Sequence, residues 1–165
     1  MDKFTYGTVT PDHASDWRDL RLEGARDFPL GFLLTVEEVA EADIDRCSEI
    51  LMSGNVRGVF CYGKLIGFCG FRPQQLKQIK HRGEIGPFYV SRKYHGSGAA
   101  KLMMSGVIDE ARASKLEQLE LFVDTENLRA IAFYERFGFE RIATHKDSVR
   151  INGVSRDDYF YTLRL

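Results

Sequence analysis

The sequence contains few residues of the kinds that hold unusual folds together. Its 165 residues include three cysteines, four prolines and one tryptophan. The cysteines, Cys47, Cys61 and Cys69, form no Cys-x-x-Cys pair, and we interpret them as reduced thiols of a cytoplasmic protein rather than a disulfide framework. The four histidines stand alone in the sequence and build no ligand cluster, so we expect no metal site.

Long apolar runs and a surplus of one charge are also absent. No stretch is long enough to span a bilayer, and the start at Met1 lacks a signal-peptide core, so we expect no membrane association. Lys and Arg number 23 against 24 Asp and Glu, a net charge of −1 that gives no general attraction to nucleic acid. With 44% hydrophobic residues, the chain is expected to form one domain over 1–165.

Hydrophobic periodicity predicts strands and helices in the order β-α-α-β-β-β-α-β-α-β-β. We interpret this order as an α/β (mixed α+β) fold, with a twisted mixed sheet flanked by helices. The spacing of Thr35 and Glu38 predicts a capping box at the start of the second helix. The predicted strands are 4–9, 56–62, 65–72, 84–90, 119–123, 139–144 and 159–165, and the predicted helices are 12–26, 36–52, 99–111 and 128–137.

Residues 89–102 (YVSRKYHGSGAAKL) place a loop with two glycines between a predicted strand and an amphipathic helix. Glycines let a ligand approach the backbone, and the first amides of a helix favour negative charge. The segment therefore indicates an anion-binding loop suited to a diphosphate, with a plain tight turn as the alternative. It lacks the Gly-Lys-Ser/Thr of a Walker loop and the Gly-x-Gly-x-x-Gly of a dinucleotide site.

Two segments resemble signatures of the GNAT acetyltransferase superfamily. Residues 95–100 (HGSGAA) lie where that family carries Gln/Arg-x-x-Gly-x-Gly/Ala, with His95 in place of Gln or Arg. Residues 127–139 (NLRAIAFYERFGF) are similar to the family's Asn-x-x-Ala-x-x-(Phe/Leu)-Tyr-Glu-Lys/Arg-x-Gly-Phe. Both occur in the family's order, with the expected helix and strand between them.

The resemblance implies a GNAT-type domain that transfers the acetyl group of acetyl-CoA to a primary amine of a small molecule, peptide or protein by direct attack. In family members a pair of parallel strands, here 84–90 and 119–123, is separated, and the pantetheine arm of the coenzyme enters the gap. Pro87 suits such a strand, because proline is tolerated at a bulge. The residues implied to contact acetyl-CoA are Phe88, Tyr89, Val90, His95, Gly96, Ser97, Gly98, Ala99, Ala100, Lys101, Asn127, Phe133 and Tyr134.

Tyr134 and Glu84 are the catalytic candidates. Tyr134 matches the family's tyrosine and would protonate the departing thiolate, with a packed core tyrosine as the alternative. Glu84 is the candidate base, directly or through water, with simple solvation as the alternative and Glu120 as the second candidate. Some family members that acetylate protein N-termini carry a Glu where this chain has Phe122. Asn127 also suits a helix N-cap.

The acceptor is expected to enter opposite the coenzyme, between residues 26–36 and 145–157. Phe28, Phe32 and Leu33 either form an apolar wall there or pack the helices together. Polyamine, amino acid, antibiotic, peptide N-terminus and lysine all remain open as acceptors, and so does a homodimer. The alternative functions are a non-catalytic coenzyme-binding sensor or partner module, an acyltransferase using another acyl-CoA, and an unrelated phosphate-binding module.

Overall fold

The computed structural model describes residues 3–165. Its strands are Phe4–Thr8 (β1), Val56–Cys61 (β2), Lys64–Pro73 (β3), Arg82–Val90 (β4), Gln118–Asp124 (β5), Glu140–Ile151 (β6) and Val154–Arg164 (β7). They form one seven-stranded sheet in the order β1-β2-β3-β4-β5-β7-β6. The β4–β5 pair is parallel and the other neighbours are antiparallel, as predicted for a mixed sheet.

Helices cover portions of both faces of this sheet. They are Ala14–Asp27 (α1), Val36–Glu41 (α2), Ile44–Leu51 (α3), Ala99–Ala113 (α4) and Leu128–Arg136 (α5), with short 3-10 turns at Pro11–His13, Pro29–Gly31 and Arg92–Tyr94. Within residues 3–165, no helix combines the length and the apolar composition that crossing a membrane requires.

Two apolar clusters attach the helices to the sheet. On one face, Met103, Met104 and Val107 of α4 pack in a cluster with Leu119 and Leu121 of β5. On the other face, residues of α1 and α3 pack around Phe68 of β3. The periodic apolar positions of α4 predicted this burial, because residues three and four apart share one helix face.

The predicted second helix over 36–52 is wrong, because the chain forms two helices there. The capping box of Thr35 and Glu38 is confirmed at the start of α2. Ala42 then leaves the helical region, with φ −79° and ψ 112°. Asp43 starts α3 as its N-cap by accepting a hydrogen bond of 2.8 Å from the Arg46 amide. The capping side chain of Asp43 therefore starts a second helix, although the apolar period of the sequence continues across the break.

The last two strands are longer than predicted. The turn that joins them lies at Asn152 and Gly153, with positive φ at both residues. β6 spans Glu140–Ile151 and so extends as far as this turn. Most residues of β6 are exposed, because β6 is the edge strand of the sheet. An exposed edge strand has no buried face to leave an alternating apolar pattern, so periodicity missed its second half.

Candidate functional site

The two parallel strands separate after a short paired section. β4 and β5 share three register pairs, and the last of them joins Glu84 to Glu120. Beyond this point β4 stays paired with β3 as far as Val90, and β5 stays paired with β7 as far as Asp124. The facing edges of β4 and β5 therefore carry unpaired backbone groups on both sides of a gap that begins at Glu84 and Glu120.

A bulge in β4 lies next to this gap. The β3–β4 register shifts between Cys69 and Phe71, so that residues 86 and 87 of β4 lie opposite the single residue 70 of β3. A Cβ atom on Gly70 would collide with the backbone carbonyl oxygen of Gly86. Only glycine permits that approach, so the predicted bulge depends on a residue that the sequence did not single out.

The glycine loop joins the end of β4 to α4. Gly96 and Gly98 have φ values of +73° and +90°, and a Cβ on either would meet no atom within 4 Å. The first intrahelical hydrogen bond runs from the Leu102 amide to the Gly98 carbonyl, at 3.0 Å. The amides of residues 100–101 precede that bond and point out of the helix start. The loop thus presents backbone donors beneath an open surface, which suits an anion.

Glu23 of α1 holds the start of this loop. Its carboxylate accepts hydrogen bonds from the Tyr89 hydroxyl at 2.8 Å, the Ser91 hydroxyl at 3.0 Å and the Arg92 amide at 3.1 Å. Three donors on one carboxylate fix where β4 ends and the loop begins. The role of Glu23 was not predicted, because nothing in the neighbouring sequence of an acidic residue on a surface helix indicates a hydrogen-bond partner 66 or more positions away.

His95 connects the loop to α5 as well as to β4. Its Nε2 lies 2.8 Å from the Val90 carbonyl oxygen, and its Nδ1 lies 2.9 Å from Nη1 of Arg129. The ring of Phe28 packs against the imidazole, with 5.6 Å between the centroids. His95 is therefore a held side chain of the loop, and it links segments that follow the two separated strands.

Asn127 is the N-cap of α5, as its position predicted. Its side-chain oxygen accepts from the Ala130 amide at 3.4 Å. The turn before it is fixed by Asp124, which is 4% exposed and accepts two hydrogen bonds from Arg156 of β7, at 2.5 and 2.8 Å. The Glu126 amide also donates to Asp124, at 2.8 Å. This ion pair holds the segment that presents Asn127 at the far side of the gap.

Asp124→Asn should lower the free energy of unfolding at pH 7 by about 2 kcal/mol, because a charge-assisted buried contact to Arg156 is lost. Arg156 holds the pKa of the Asp124 carboxyl below its usual range, although burial opposes this. A depressed pKa stabilises the fold above the unfolded pKa, near 4, and this contribution disappears as pH falls through the folded pKa. Urea unfolding at pH 7 and in acid measures both effects.

The matched control is Asp109→Asn, which removes an exposed carboxylate 3.8 Å from Arg112 on the surface of α4. This variant should unfold close to the wild-type denaturant concentration, since exposed ion pairs contribute little. Equal unfolding midpoints for the two variants would contradict a structural role for the Asp124 pair.

Tyr134 lies on α5 and is 8% exposed. Its ring packs against Phe88 of β4 and against Phe133 and Phe139, with centroid distances of 6.3, 5.7 and 5.9 Å. Burial, with a smaller effect of the Cys69 thiol, raises the pKa of the Tyr134 phenol well above its usual value. The phenol therefore stays protonated at neutral pH, which a proton donor requires.

Two carboxylates mark the point where the strands separate. Glu84 forms an ion pair of 2.7 Å with Arg72. Glu120 is 8% exposed, and its Oε2 lies 3.5 Å from Arg82 without forming a hydrogen bond to any residue of 3–165. General-base chemistry needs a carboxylate that an entering amine or a water molecule can reach, and the Glu84 side chain is 39% exposed whereas Oε2 of Glu120 is buried. No group of three or more His, Cys, Asp or Glu suited to a metal ion occurs in the described chain.

An apolar surface borders the gap on the sheet face that carries Glu120. Phe122 is two residues along β5 and is 53% exposed, and its ring lies 4.8 Å from that of Phe160 on β7. His145 of β6 lies beside Phe122, at 6.3 Å between centroids. The 3-10 turn at 29–31 contacts both β4 and β5 and forms the opposite border. This surface is open to a second reactant.

The sequence left two roles open for Phe28, Phe32 and Leu33, an apolar wall and packing between the helices, and the structure shows Phe28 and Phe32 packed against β4. Both rings pack against Tyr89, with centroids 5.8 and 5.6 Å away. Leu33 is 82% exposed. Tyr89 itself turns towards α1, so its side chain faces away from Phe88 and Tyr134, and only its backbone lies along the gap.

Among the other residues expected to contact a coenzyme, Phe88 of β4 packs against Phe133 and Tyr134 of α5, with ring centroids 5.3 and 6.3 Å apart. Val90 and Ala99 are 6% and 0% exposed, so their side chains belong to the core and only their backbone is left to face a ligand. The loop residues are His95, Gly96, Ser97, Gly98, Ala99, Ala100 and Lys101.

Comparison with known proteins agrees with this geometry. The chain is 31% identical over 87 residues to the spermine/spermidine N(1)-acetyltransferase of Bacillus subtilis (strain 168). The match covers 50% of this chain and 57% of that protein, so the chain spans little more than half the length of that curated relative.

Solved structures share the fold over nearly the whole chain. The ribosomal-protein-alanine N-acetyltransferase from Brucella melitensis has a TM-score of 0.85 at 20% identity, covering 98% of this chain and 99% of that one. A GNAT superfamily phosphinothricin acetyltransferase from Sinorhizobium meliloti, in complex with AcCoA, has a TM-score of 0.81 at 17% identity, covering 99% and 89%.

A family model provides the assignment. The model described as the acetyltransferase (GNAT) family matches residues 17–139, from α1 to the end of the segment after α5. This range includes the glycine loop, the separated strands and Tyr134. The chain belongs to the GNAT acetyltransferase family.

Proposed function

We propose that this chain transfers the acetyl group of acetyl-CoA to a primary amine by direct attack. The observation that carries the proposal is the gap between β4 and β5, which begins after Glu84 and Glu120, with the glycine loop following β4 and Tyr134 packed against Phe88 of β4. Family membership supports acetyl transfer, and the name of the Bacillus relative supports an amine as acceptor.

The residues around the gap fit the chemical groups of acetyl-CoA. The open surface over Gly96 and Gly98 leaves room for a diphosphate against the backbone amides of the loop. The unpaired edge of β4 can hydrogen-bond the amide groups of the pantetheine arm, as an added strand would. Phe88, Phe133 and Asn127 line the same passage, which brings the thioester sulfur towards Tyr134.

The chemistry requires three proton transfers. The acceptor enters as an ammonium ion and loses one proton to Glu84, directly or through a water molecule. The amine nitrogen then attacks the thioester carbonyl carbon, the carbon–sulfur bond breaks, and the nitrogen releases its second proton to solvent as the amide forms. Tyr134 donates its phenolic proton to the departing thiolate and is later reprotonated from solvent. The products are an amide and the free coenzyme thiol.

The acceptor enters from the face that carries Phe122 and Phe160. This surface lies between the 29–31 turn and the hairpin of β6 and β7, the two segments expected to frame the acceptor. Its exposed aromatic rings favour an amine attached to an apolar or aromatic group, or a cation that rests on a ring face.

The proposal is tested by release of free thiol from acetyl-CoA with a panel of acceptors. The panel contains a polyamine, an amino acid, an aminoglycoside, a peptide N-terminus and a lysine peptide, and each amine is paired with its alcohol analogue where one exists. We expect acceptor-dependent thiol release with at least one amine and none with the alcohols. Binding of acetyl-CoA without release with any amine would instead indicate a non-catalytic module, and faster release from another acyl-CoA would change the donor.

Glu84→Gln should lower kcat/KM at pH 7 by about 100-fold, because the ammonium proton loses its acceptor. The deficit should shrink as pH rises towards 10, because a growing fraction of an alkyl amine is then already unprotonated. The measurement is kcat/KM from pH 6 to 10 with the best amine of the panel.

Glu120→Gln is the matched variant, since Glu120 is the register partner of Glu84 on the adjacent strand. It should keep most of the activity and the wild-type pH profile. A pH-dependent decrease of kcat/KM in Glu120→Gln, with no such decrease in Glu84→Gln, would contradict the role of Glu84 and assign the base to Glu120.

A further inference from the structure

The cationic side chain of Arg129 is placed where helix formation gives no reason for it. Arg129 is the second residue of α5, directly after the N-cap Asn127 and Leu128. A cation in the first turn of a helix is opposed by the helix dipole. None of the ion pairs formed within residues 3–165 includes Arg129. Its position therefore suggests that it binds an anion from outside the chain.

His95 fixes the direction of this side chain. The Val90 carbonyl can only accept a hydrogen bond and the Arg129 guanidinium can only donate one. Both contacts, at 2.8 and 2.9 Å, are satisfied together when the hydrogen of the imidazole is on Nε2 and the lone pair is on Nδ1. Phe28 packs on the ring and keeps it in this orientation.

The contact crosses the mouth of the gap. His95 belongs to the loop that follows β4, and Arg129 belongs to the helix that follows β5, 34 positions later. The contact between His95 and Arg129 therefore holds the Arg129 guanidinium close to the glycine loop, whose backbone amides begin at Gly96. A guanidinium has five N–H donors in a planar fork, and His95 engages one nitrogen, so donors remain for a phosphate group.

We propose that Arg129 binds the diphosphate of the coenzyme together with the loop amides, and that His95 is its positioning residue. The inference rests on the proposed use of acetyl-CoA. It gives a physical role to the histidine that stands where relatives carry Gln or Arg. The guanidinium of Arg129 on α5 provides the positive charge, and the imidazole of His95 orients that guanidinium.

Calorimetric titration with three ligands tests this assignment. Acetyl-CoA carries the diphosphate and the 3′-phosphate, acetyl-dephospho-CoA keeps only the diphosphate, and S-acetylpantetheine has neither. Arg129→Gln should weaken acetyl-CoA and acetyl-dephospho-CoA by about tenfold each, the scale of one charge-assisted hydrogen bond. Its affinity for S-acetylpantetheine should equal that of the wild type.

Substitutions of His95 test the positioning role. His95→Gln keeps one donor and one acceptor, and it should retain most of the affinity for acetyl-CoA. His95→Leu keeps neither and should weaken binding of the two diphosphate ligands by about threefold to tenfold. In the double variant with Arg129→Gln, His95→Leu should add nothing further, because the two residues act as a unit.

Arg136→Gln is the matched control, since it removes the same charge at the other end of α5. It should bind all three ligands as the wild type does. Unchanged affinities in Arg129→Gln would overturn the inference while leaving the proposed function intact. A loss confined to acetyl-CoA would assign Arg129 to the 3′-phosphate and also overturn it. A wild-type protein that binds none of the ligands would reject the proposed function itself.

Discussion

Tyr134→Phe should lower kcat by about 100-fold or more while leaving the affinity for acetyl-CoA within about twofold of the wild type. The substitution removes only the hydroxyl group, and the ring keeps its contacts with Phe88 and Phe139. A group that protonates the leaving thiolate acts in the transition state, so its loss reduces the rate more than the binding. Steady-state kinetics and calorimetry on the same preparation separate the two quantities.

Tyr161→Phe is the matched control for this variant. Tyr161 is as deeply buried on β7, and its hydroxyl donates to Glu135 at 2.8 Å, away from the gap. Its loss should reduce stability without changing kcat. If both variants changed kcat equally and only slightly, Tyr134 would be a packed core residue and not a proton donor.

The pH profile of kcat provides a second check on Tyr134. A donor must be protonated, so activity falls as pH rises through its pKa. Burial raises the pKa of Tyr134, which moves that fall above the usual tyrosine value of about 10. An alkaline loss of kcat centred below pH 10 and absent in Tyr134→Phe would contradict the raised pKa.

Gly98→Glu should abolish measurable binding of acetyl-CoA, a loss of at least about 100-fold. Gly98 is the N-cap of α4, with φ +90° and open space where a side chain would project. A carboxylate there occupies the position proposed for the diphosphate and repels it. Negative charge at a helix N-terminus does not itself destabilise the helix, so the effect should fall on binding.

Gly54→Glu separates this effect from backbone strain. Gly54 lies in the turn before β2, with φ +72° and no atom within 4 Å of an added Cβ. Both variants place a glutamate in the left-handed region and should lose similar stability. Only Gly98→Glu should lose the coenzyme. Wild-type affinity in Gly98→Glu would mean that the loop is a turn without a ligand.

Local patterns predicted the elements that position the site. The apolar period of α4, the glycine pair before it and the segment from Asn127 to Phe139 each involve neighbours within a few turns, so short-range rules apply. The division of the predicted helix 36–52 was missed because the apolar period continues across Ala42. The decisive signal was the capping ability of Asp43, which competes with helix continuation.

Long-range contacts account for what the sequence could not reveal about the site. Glu23 reaches the end of β4 from α1, and Arg156 reaches Asp124 from a strand 32 positions later. Nothing local distinguishes these residues from other surface charges. The replacement of Gln or Arg by His95 appeared only as a departure from the family pattern. Its contact with Arg129 became visible once the two sides of the gap were placed together.

A crystal structure of the chain with bound coenzyme tests the central claim most directly. The account predicts diphosphate oxygens within about 3 Å of backbone amides in residues 96–101. It also predicts the pantetheine arm along the open edge of β4 and the sulfur beside the Tyr134 hydroxyl. A coenzyme bound elsewhere, or β4 and β5 hydrogen-bonded to each other beyond Glu84, would contradict it.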